Sequence, residues 1–341
     1  MKRWTQILLI ILGILVVFFI IMAIGGWQLL RRPFPETAGT ISLPGLQEEV
    51  EVYRDEWGVA HIYAQNETDL FFAQGYVHAQ ERFWQMEFWR HLGQGRLSEI
   101  VGEPTVELDT FIRTIGWNRL AERSLDYYAA EAPEAMAVME AYAAGVNAYL
   151  AEQGDAFSLN QTILGMVNEP WEIEPWKPLD TISWGMVMAY QLSHNWEEEL
   201  DRVNLIRDLG EAQALNLMPA YPYDSRPVIA PTDELISDLE NGETVTPPLP
   251  AGVDWTRLDT NIAGVPPGDL AFGAGPFVGS NNWVVSGEHT ESGQPLLAND
   301  PHLDVQMPSI WYEIGLHTPD WQVTGFSFAG TPGVIIGHND H

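Results

Sequence analysis

Cysteine is absent from the 341 residues. That absence removes disulfide frameworks, thiol nucleophiles, cysteine-based zinc sites and iron–sulfur clusters. Lysine is nearly absent too: Lys2 and Lys177 are the whole supply, and nothing around Lys177 supports Schiff-base chemistry. Lysine and arginine together number 16 against 47 acids, a formal net charge of −31. So acidic a chain repels phosphate backbones, which argues against nucleic acid as a partner. There is no G-x-S-x-G elbow, no H-E-x-x-H and no P-loop. Gly273-Ala274-Gly275 is followed by Pro276 where helix-starting amides would be needed, so it is no dinucleotide fingerprint. No solenoid repeat is visible. What remains is 46% hydrophobic, with 14 Trp and 23 Pro. That is the composition of a folded chain rather than of a disordered acidic one.

Residues 7–27 carry no charged or strongly polar side chain. At about 1.5 Å per residue the run reaches ~31 Å, the thickness of a hydrocarbon core. Lys2 and Arg3 precede it; Arg31 and Arg32 follow it. The run is longer than the h-region of a cleavable signal, although Ala23-Ile24-Gly25 fits a small-x-small cleavage site. Residues 1–32 therefore read as an N-terminal membrane anchor or a signal. The expected orientation puts the N-terminus in the cytoplasm and the remainder in the periplasm or cell exterior. With those four bases set aside, 47 acids face 12 bases in the remainder, a charge of −35.

Residues 33–45 are punctuated by Pro and Gly and read as a linker. Residues 49–54 alternate with period two and predict a strand, with residues 59–63 as its hairpin partner. Asn66, followed by Glu67 and Asp69, has the form of a helix start. A long helix is expected over 70–92, a second helical region over 120–152 and a third over 179–218. From 221 to 279, Pro and Gly recur and amphipathic periodicity vanishes, too long a stretch for an ordinary loop. Short strands follow at 282–286, 294–298, 310–317, 322–327 and 334–337. Helices first and strands last predict an α+β fold.

Chemistry concentrates at Gly279-Ser280, where the Pro/Gly-rich stretch meets the first late strand. A glycine permits a strained, accessible carbonyl, and the adjacent serine hydroxyl is what an N→O acyl shift requires. Asp300, His302 and Asp304 would share one face of a strand, but three ligands without a fourth favour a structural role over a metal site. His338 and His341 are an equally weak pair.

Five blocks then occur in order: Val52-Tyr53-Arg54-Asp55-Glu56-Trp57-Gly58-Val59-Ala60-His61-Ile62, the run from Ala73 to Met86 (AQGYVHAQERFWQM), Gly95-Arg96-Leu97-Ser98-Glu99-Ile100-Val101-Gly102, Gly279-Ser280-Asn281-Asn282-Trp283, and Ala298-Asn299-Asp300-Pro301-His302-Leu303. In these blocks the chain resembles the penicillin acylases of the N-terminal-nucleophile hydrolase superfamily. The resemblance implies a four-layer αββα sandwich, incomplete here and preceded by one transmembrane helix. It implies a precursor with an α segment (33–229), a spacer (230–279) and a β segment starting at residue 280, the two segments staying associated. The implied reaction is hydrolysis of a linear amide joining an acyl group to an amine, in a penicillin, an acyl homoserine lactone or an N-acyl amine. Autocleavage would fall between Gly279 and Ser280, and Ser280 would then carry both nucleophile and base. His302 matches a histidine near the nucleophile in relatives, and Leu303 a position lining their acyl pocket. A structural calcium ion is implied as well, with Glu199 the best match to a ligand.

The resemblance also implies a β segment far longer than residues 280–341, with the oxyanion-hole donors beyond residue 341. The expectation is a fragment of a longer protein. The alternative is an anchored, catalytically inactive, truncated ectodomain that binds a ligand or partner. The excess of acid over lysine also suits a salt-rich setting. Repulsion between like charges is then screened by salt, so the melting temperature should rise between low and molar ionic strength; a salt-indifferent melting curve would count against this adaptation.

Overall fold

The computed structural model describes residues 2–31, 33–154, 158–168, 171–192, 196–218, 252–254, 257, 279–303 and 305–340. Most of the expected spacer, 230–279, lies outside the described residues. The chain divides into two units, Met1–Leu192 with Gly264–His341, and Ser193–Ala263.

With no polar residue to interrupt it, the N-terminal run closes as one helix, α1 (Lys2–Arg31). Its side chains are exposed from Arg3 to Arg31. By length and composition it can cross a membrane, a test that a signal sequence also passes.

The alternating segment forms β1 (Glu51–Arg54) and β2 (Ala60–Tyr63), paired antiparallel with Val52 opposite Ile62. Three late strands complete their sheet: β5 (Trp311–His317), β6 (Gln322–Phe328) and β7 (Ile336–His338), in the order β1-β2-β5-β6-β7. The β2–β5 pair is parallel, with Ile62 opposite Leu316. It joins strands from either side of Ser280. A separate antiparallel pair is formed by β3 (Gly279–Val285) and β4 (Leu296–His302). β4 runs beyond the expected 294–298 and through Pro301, which an outer strand tolerates because no ladder donor is lost.

Helix α2 (Glu67–Gln94) covers one face of the five-stranded sheet. Asn66 caps it as expected, its side-chain oxygen accepting the Asp69 N–H at 2.8 Å. The buried Asp69 carboxylate in turn accepts the Gln47 and Glu48 amides at 2.9 and 3.0 Å, which ties the entering chain to the helix. Leu70, Phe71, Ala73 and Val77 pack on Ala60, Ile62, Ile314 and Leu316. Gly95 ends the helix with a left-handed φ of 64°, and Asp109 holds the following turn by accepting the Leu97 and Ser98 amides. The alternation of the strands puts His61, Glu313 and His317 on the other sheet face. Of the implied four layers, the described residues show helices on one face of one sheet and the two-stranded sheet as a separate pair.

The expected helical region 120–152 is two helices, α5 (Trp117–Glu131) and α6 (Pro133–Gln153). Pro133 lacks the N–H that would continue α5 and sits where a new helix needs none. The region 179–218 is three: α8 (Pro178–Gln191), α9 (Trp196–Leu209) and α10 (Glu211–Leu217), the last two in the second unit. Three short helices lie outside the expected regions: α3 (Ser98–Val101), α4 (Val106–Ile115) and α7 (Leu159–Val167).

α6 packs along α2 with backbones almost touching. A Cβ on Gly145 would lie 1.8 Å from the Phe72 carbonyl oxygen, and one on Gly75 2.1 Å from that of Tyr142. Gly145→Ala must therefore force the helices apart and should cost about 1–3 kcal/mol or more, as overpacking does. Gly185→Ala is the contrast: a Cβ on this α8 glycine would meet nothing within 4 Å. It should stabilise by about 0.5–1 kcal/mol through the helical preference for Ala. Denaturant midpoints of the two variants should move in opposite directions.

Candidate active site

Ser280 is the second residue of β3, whose side chains are exposed as far as Val284. Its hydroxyl donates to the Gly279 carbonyl oxygen at 2.6 Å. The nucleophile expected from sequence thus already touches the peptide group it would attack. Gly279 is extended strand and not among the positive-φ glycines. What the glycine supplies is room, since a Cβ there would meet nothing within 4 Å.

Across the hairpin Ser280 pairs with Pro301, and Gly279 with His302. Directly opposed residues share a face and neighbours alternate. The His302 imidazole therefore lies on the face opposite to the Ser280 hydroxyl, facing the Gly279 position. His302 Nε2 bonds Asp300 Oδ2 at 2.8 Å. Asp300 and His302 do share a strand face, as the alternation predicts, and are hydrogen-bonded to each other; Asp304 lies outside the described residues. The pairing of His302 with Asp300 is open to sequence reasoning, since i and i+2 always meet on one strand face. Leu303 follows directly and is half-buried. Glu199 is exposed on α9, in the second unit. His338 is exposed on β7, and His341 lies outside the described residues.

A cavity of about 170 Å³ lies between residues 36–54 and α2, lined by Ile41, Leu43, Val50, Phe72 and Tyr76 among others. None of the expected site residues lines it.

The polar side chains of the second block, Ala73–Met86, are largely buried, and sequence reasoning assigns them no task. Gln74 clamps the turn after β6 from both sides, donating to the Gly333 carbonyl at 2.9 Å and accepting the Gly333 amide at 2.8 Å. His78 Nδ1 lies 2.8 Å from the Tyr142 hydroxyl, and its Nε2 lies 3.0 Å from Ser327 Oγ. The protons in this network can be placed. Ser327 Oγ donates to the Tyr312 carbonyl, so it accepts from His78 Nε2–H. Tyr142 Oη accepts the Gly330 amide, and its own proton goes to His78 Nδ1. Thr181 and the Trp184 indole bind the Gly330 and Ala329 carbonyls at 2.8 and 2.9 Å. Side chains from α2, α6 and α8 thus hold residues 329–333, the stretch leading into β7.

A second buried cluster ties residues 174–180 to α2. Arg90 pairs with Glu87 and donates to the Glu174 carbonyl at 3.0 Å, with Asp180 at 3.5 Å. Burial pushes the Asp180 carboxyl up while Arg90 opposes the shift. The Lys177 amide and Gln94 both donate to Asp180 at 2.7 Å.

Residues 49–341 match the penicillin amidase family, and the chain belongs to it. It is 32% identical over 305 residues to the acyl-homoserine lactone acylase QuiP of Pseudomonas aeruginosa, covering 89% of this chain and 34% of that protein. It is 32% identical over 317 residues to the penicillin acylase 2 proenzyme of Pseudomonas sp. strain SE83, covering 90% of this chain and 37% of that one. Among solved structures, a thermostable penicillin G acylase from Alcaligenes faecalis matches with a TM-score of 0.40 at 22% identity, over 54% of this chain and 95% of that chain. The chain spans about a third of the length of the curated relatives it matches, 34% and 37%.

Complete burial pushes the His78 pKa down to about 3, and Arg82 adds to the shift. The unfolded chain, with an ordinary histidine pKa near 6.5, takes up a proton that the folded network refuses. Stability is therefore complete above pH ~6.5 and falls as pH drops toward 3. Between pH 6.5 and 5 the loss should reach about 2 kcal/mol, at 1.36 kcal/mol per pH unit. Burial lowers the His91 pKa as well and adds with the same sign. His78→Gln should lower the melting temperature at pH 7 and flatten its fall between pH 7 and 5; a slope equal to that of the parent protein would refute the assignment.

Proposed function

We propose that this chain supplies the nucleophile of a self-processing amidohydrolase. The observation that carries the reading is the Ser280 hydroxyl hydrogen-bonded to the Gly279 carbonyl in open space. In the first step Ser280 Oγ adds to the Gly279 carbonyl carbon and the Gly279–Ser280 C–N bond breaks, leaving an ester and a free α-amine. Water then hydrolyses the ester and releases residue 279 as a new C-terminus. The α-amine of Ser280, with an ordinary pKa of about 7.7–8.0, can take the hydroxyl proton near neutral pH. The nucleophile thus carries its own base, as in enzymes with an N-terminal threonine. Loss of Gly279 would clear the position opposite His302 and leave the new amine beside it. Asp300 would orient the imidazole, a positioning role rather than a direct one.

In the amide-cleaving reaction the acyl group passes to Ser280 Oγ, the amine leaves with a proton from the α-ammonium, and water frees the acid. The names of the relatives support acyl amides as substrates, penicillins and acyl homoserine lactones among them, and the proenzyme name supports processing. The half-buried Leu303 is proposed to contact the acyl group. The β2–β5 pairing supports association of the two segments, because strands 60–63 and 311–317 stay paired whether or not the chain is cut before residue 280. Helix α1 supports export and a membrane anchor, with the enzyme facing the periplasm or cell exterior.

The calcium ion fits the described residues poorly. Calcium takes six to eight oxygen ligands. Among the described residues no three His, Asp or Glu side chains converge on one point. Glu199 supplies one carboxylate on an exposed helix face.

N-terminal sequencing of the full-length product tests the proposal. A chain beginning at Ser280 is expected, together with release of acid from acyl amides of varied chain length. Ser280→Ala should leave the precursor intact and lower turnover by about 10⁶-fold, the loss seen when a nucleophile is removed. Turnover by an uncut protein would refute the mechanism, and an inert, uncut protein would favour the binding ectodomain.

A further inference from the structure

On the sheet face opposite α2, two imidazoles point at each other across the parallel β2–β5 pair. His61 Nδ1 and His317 Nε2 are 3.5 Å apart. That is the outer limit of a hydrogen bond. It agrees with the separation of two nitrogens bound to one tetrahedral metal ion, about 3.4 Å for bonds of about 2.05 Å.

Three features prepare the pair. First, Gly315 lies directly opposite His61 in the register. A Cβ there would sit 2.4 Å from His61 Nδ1 and 2.8 Å from His317 Nε2. Glycine keeps the space between the two ring nitrogens free of a side chain that would collide with both. Second, the His317 tautomer is set from outside. Gln322 donates its amide N–H to the Asp340 carboxylate, which turns its carbonyl oxygen toward His317 Nδ1 at 2.9 Å. Nδ1 therefore holds the proton, and the lone pair of Nε2 points into the space. A hydrogen bond from the far ring nitrogen is how metal-binding histidines are commonly oriented. Third, the Tyr63 ring stacks on His317 with centroids 4.3 Å apart and planes 8° from parallel, fixing the imidazole plane.

We infer that His61 and His317 form a binding site for a divalent transition-metal ion of the zinc type. Imidazole nitrogens select zinc, copper or nickel over calcium and magnesium, which prefer oxygen. Two protein nitrogens leave two positions of a tetrahedral ion to water. The ligands lie on opposite sides of Ser280 in sequence. If the chain is cut there, the ion links the two products across their shared sheet; that consequence rests on the proposed processing, whereas metal binding does not.

Zinc titration of the untagged protein by calorimetry, with cobalt as a visible-absorption probe, tests the site. One equivalent of zinc, and saturable cobalt binding that zinc displaces, are expected. His61→Asn and His317→Asn should each weaken binding at least about tenfold, and Gln322→Leu by about 10–100-fold, the usual effect of losing an orienting partner. His289→Asn, an exposed histidine in the turn between β3 and β4, should change nothing. Circular dichroism melts identify any variant that fails to fold, and binding is compared only among the folded ones. Ser280→Ala should keep its zinc. No zinc bound by the parent protein, or equal affinity in the His61 and His317 variants, overturns the site. An uncleaved protein that still binds zinc defeats the processing reading alone, and a cleaved protein that binds none defeats the site alone.

Discussion

The near-contact of the α2 and α6 backbones is the constraint on which the first unit depends. Gly75 and Gly145 let the two helices approach until each backbone fills the space of the other's missing Cβ. At that distance no long side chain can lie between them. α2 is left buried on almost every side, between α6, α8 and the sheet. Its polar residues then cannot reach water, and a buried polar group without a partner costs about 1–3 kcal/mol. Gln74, His78 and Arg90 are all 1% exposed or less. Each finds its partner in a different segment, and that is how a helix contact organises loops far away in sequence.

The late part of the chain is held through those partners. Gln74, Tyr142, Thr181 and Trp184 all bind backbone groups of residues 329–333. These bonds, with the parallel β2–β5 ladder, join the material before Ser280 to the material after it. A cut at Gly279 would leave both sets of contacts in place. The hairpin bearing Ser280 is of the opposite character: β3 is exposed along nearly its whole length, and its hydrogen-bonded partner is β4. Rigid anchoring of the sheet and openness at the junction are thus separated within one unit. Self-cleavage needs that separation, because the bond to be cut must be accessible while the products stay together.

Much of the local structure is legible in the sequence. Alternation marks β1 and β2, and the Asn66 cap marks the start of α2, because both depend on residues within four positions of each other. Pro133 is visible too, but whether a proline kinks a helical region or splits it depends on the packing around it, and here it splits 120–152 in two. Of the short helices, α4 is amphipathic, burying Leu108, Phe111 and Ile112, and Ser158 caps α7, so both carry a local signal; α3, a single turn with no side-chain cap, has none. The parallel pairing of β2 with β5 has no local sign at all. The nearness of His302 to Ser280 is implied by the family resemblance and not by the strand pattern, since the expected strand 294–298 stops short of it, and the face it occupies is set by the register.

By itself the sequence determined which chemistry is on offer: no thiol, almost no amine, one Gly-Ser junction and an apolar helix at the N-terminus. Those are statements about residue types and near neighbours, and composition suffices to make them. Only the tertiary structure decided that Gly145 must be glycine, that His78 is neutral with a defined tautomer, and that His61 and His317 face each other across a gap shaped by Gly315. Each of these depends on groups dozens to hundreds of residues apart, which no periodicity encodes. They are set by close packing, which admits one backbone spacing and then makes it costly for a buried polar group to go unpaired.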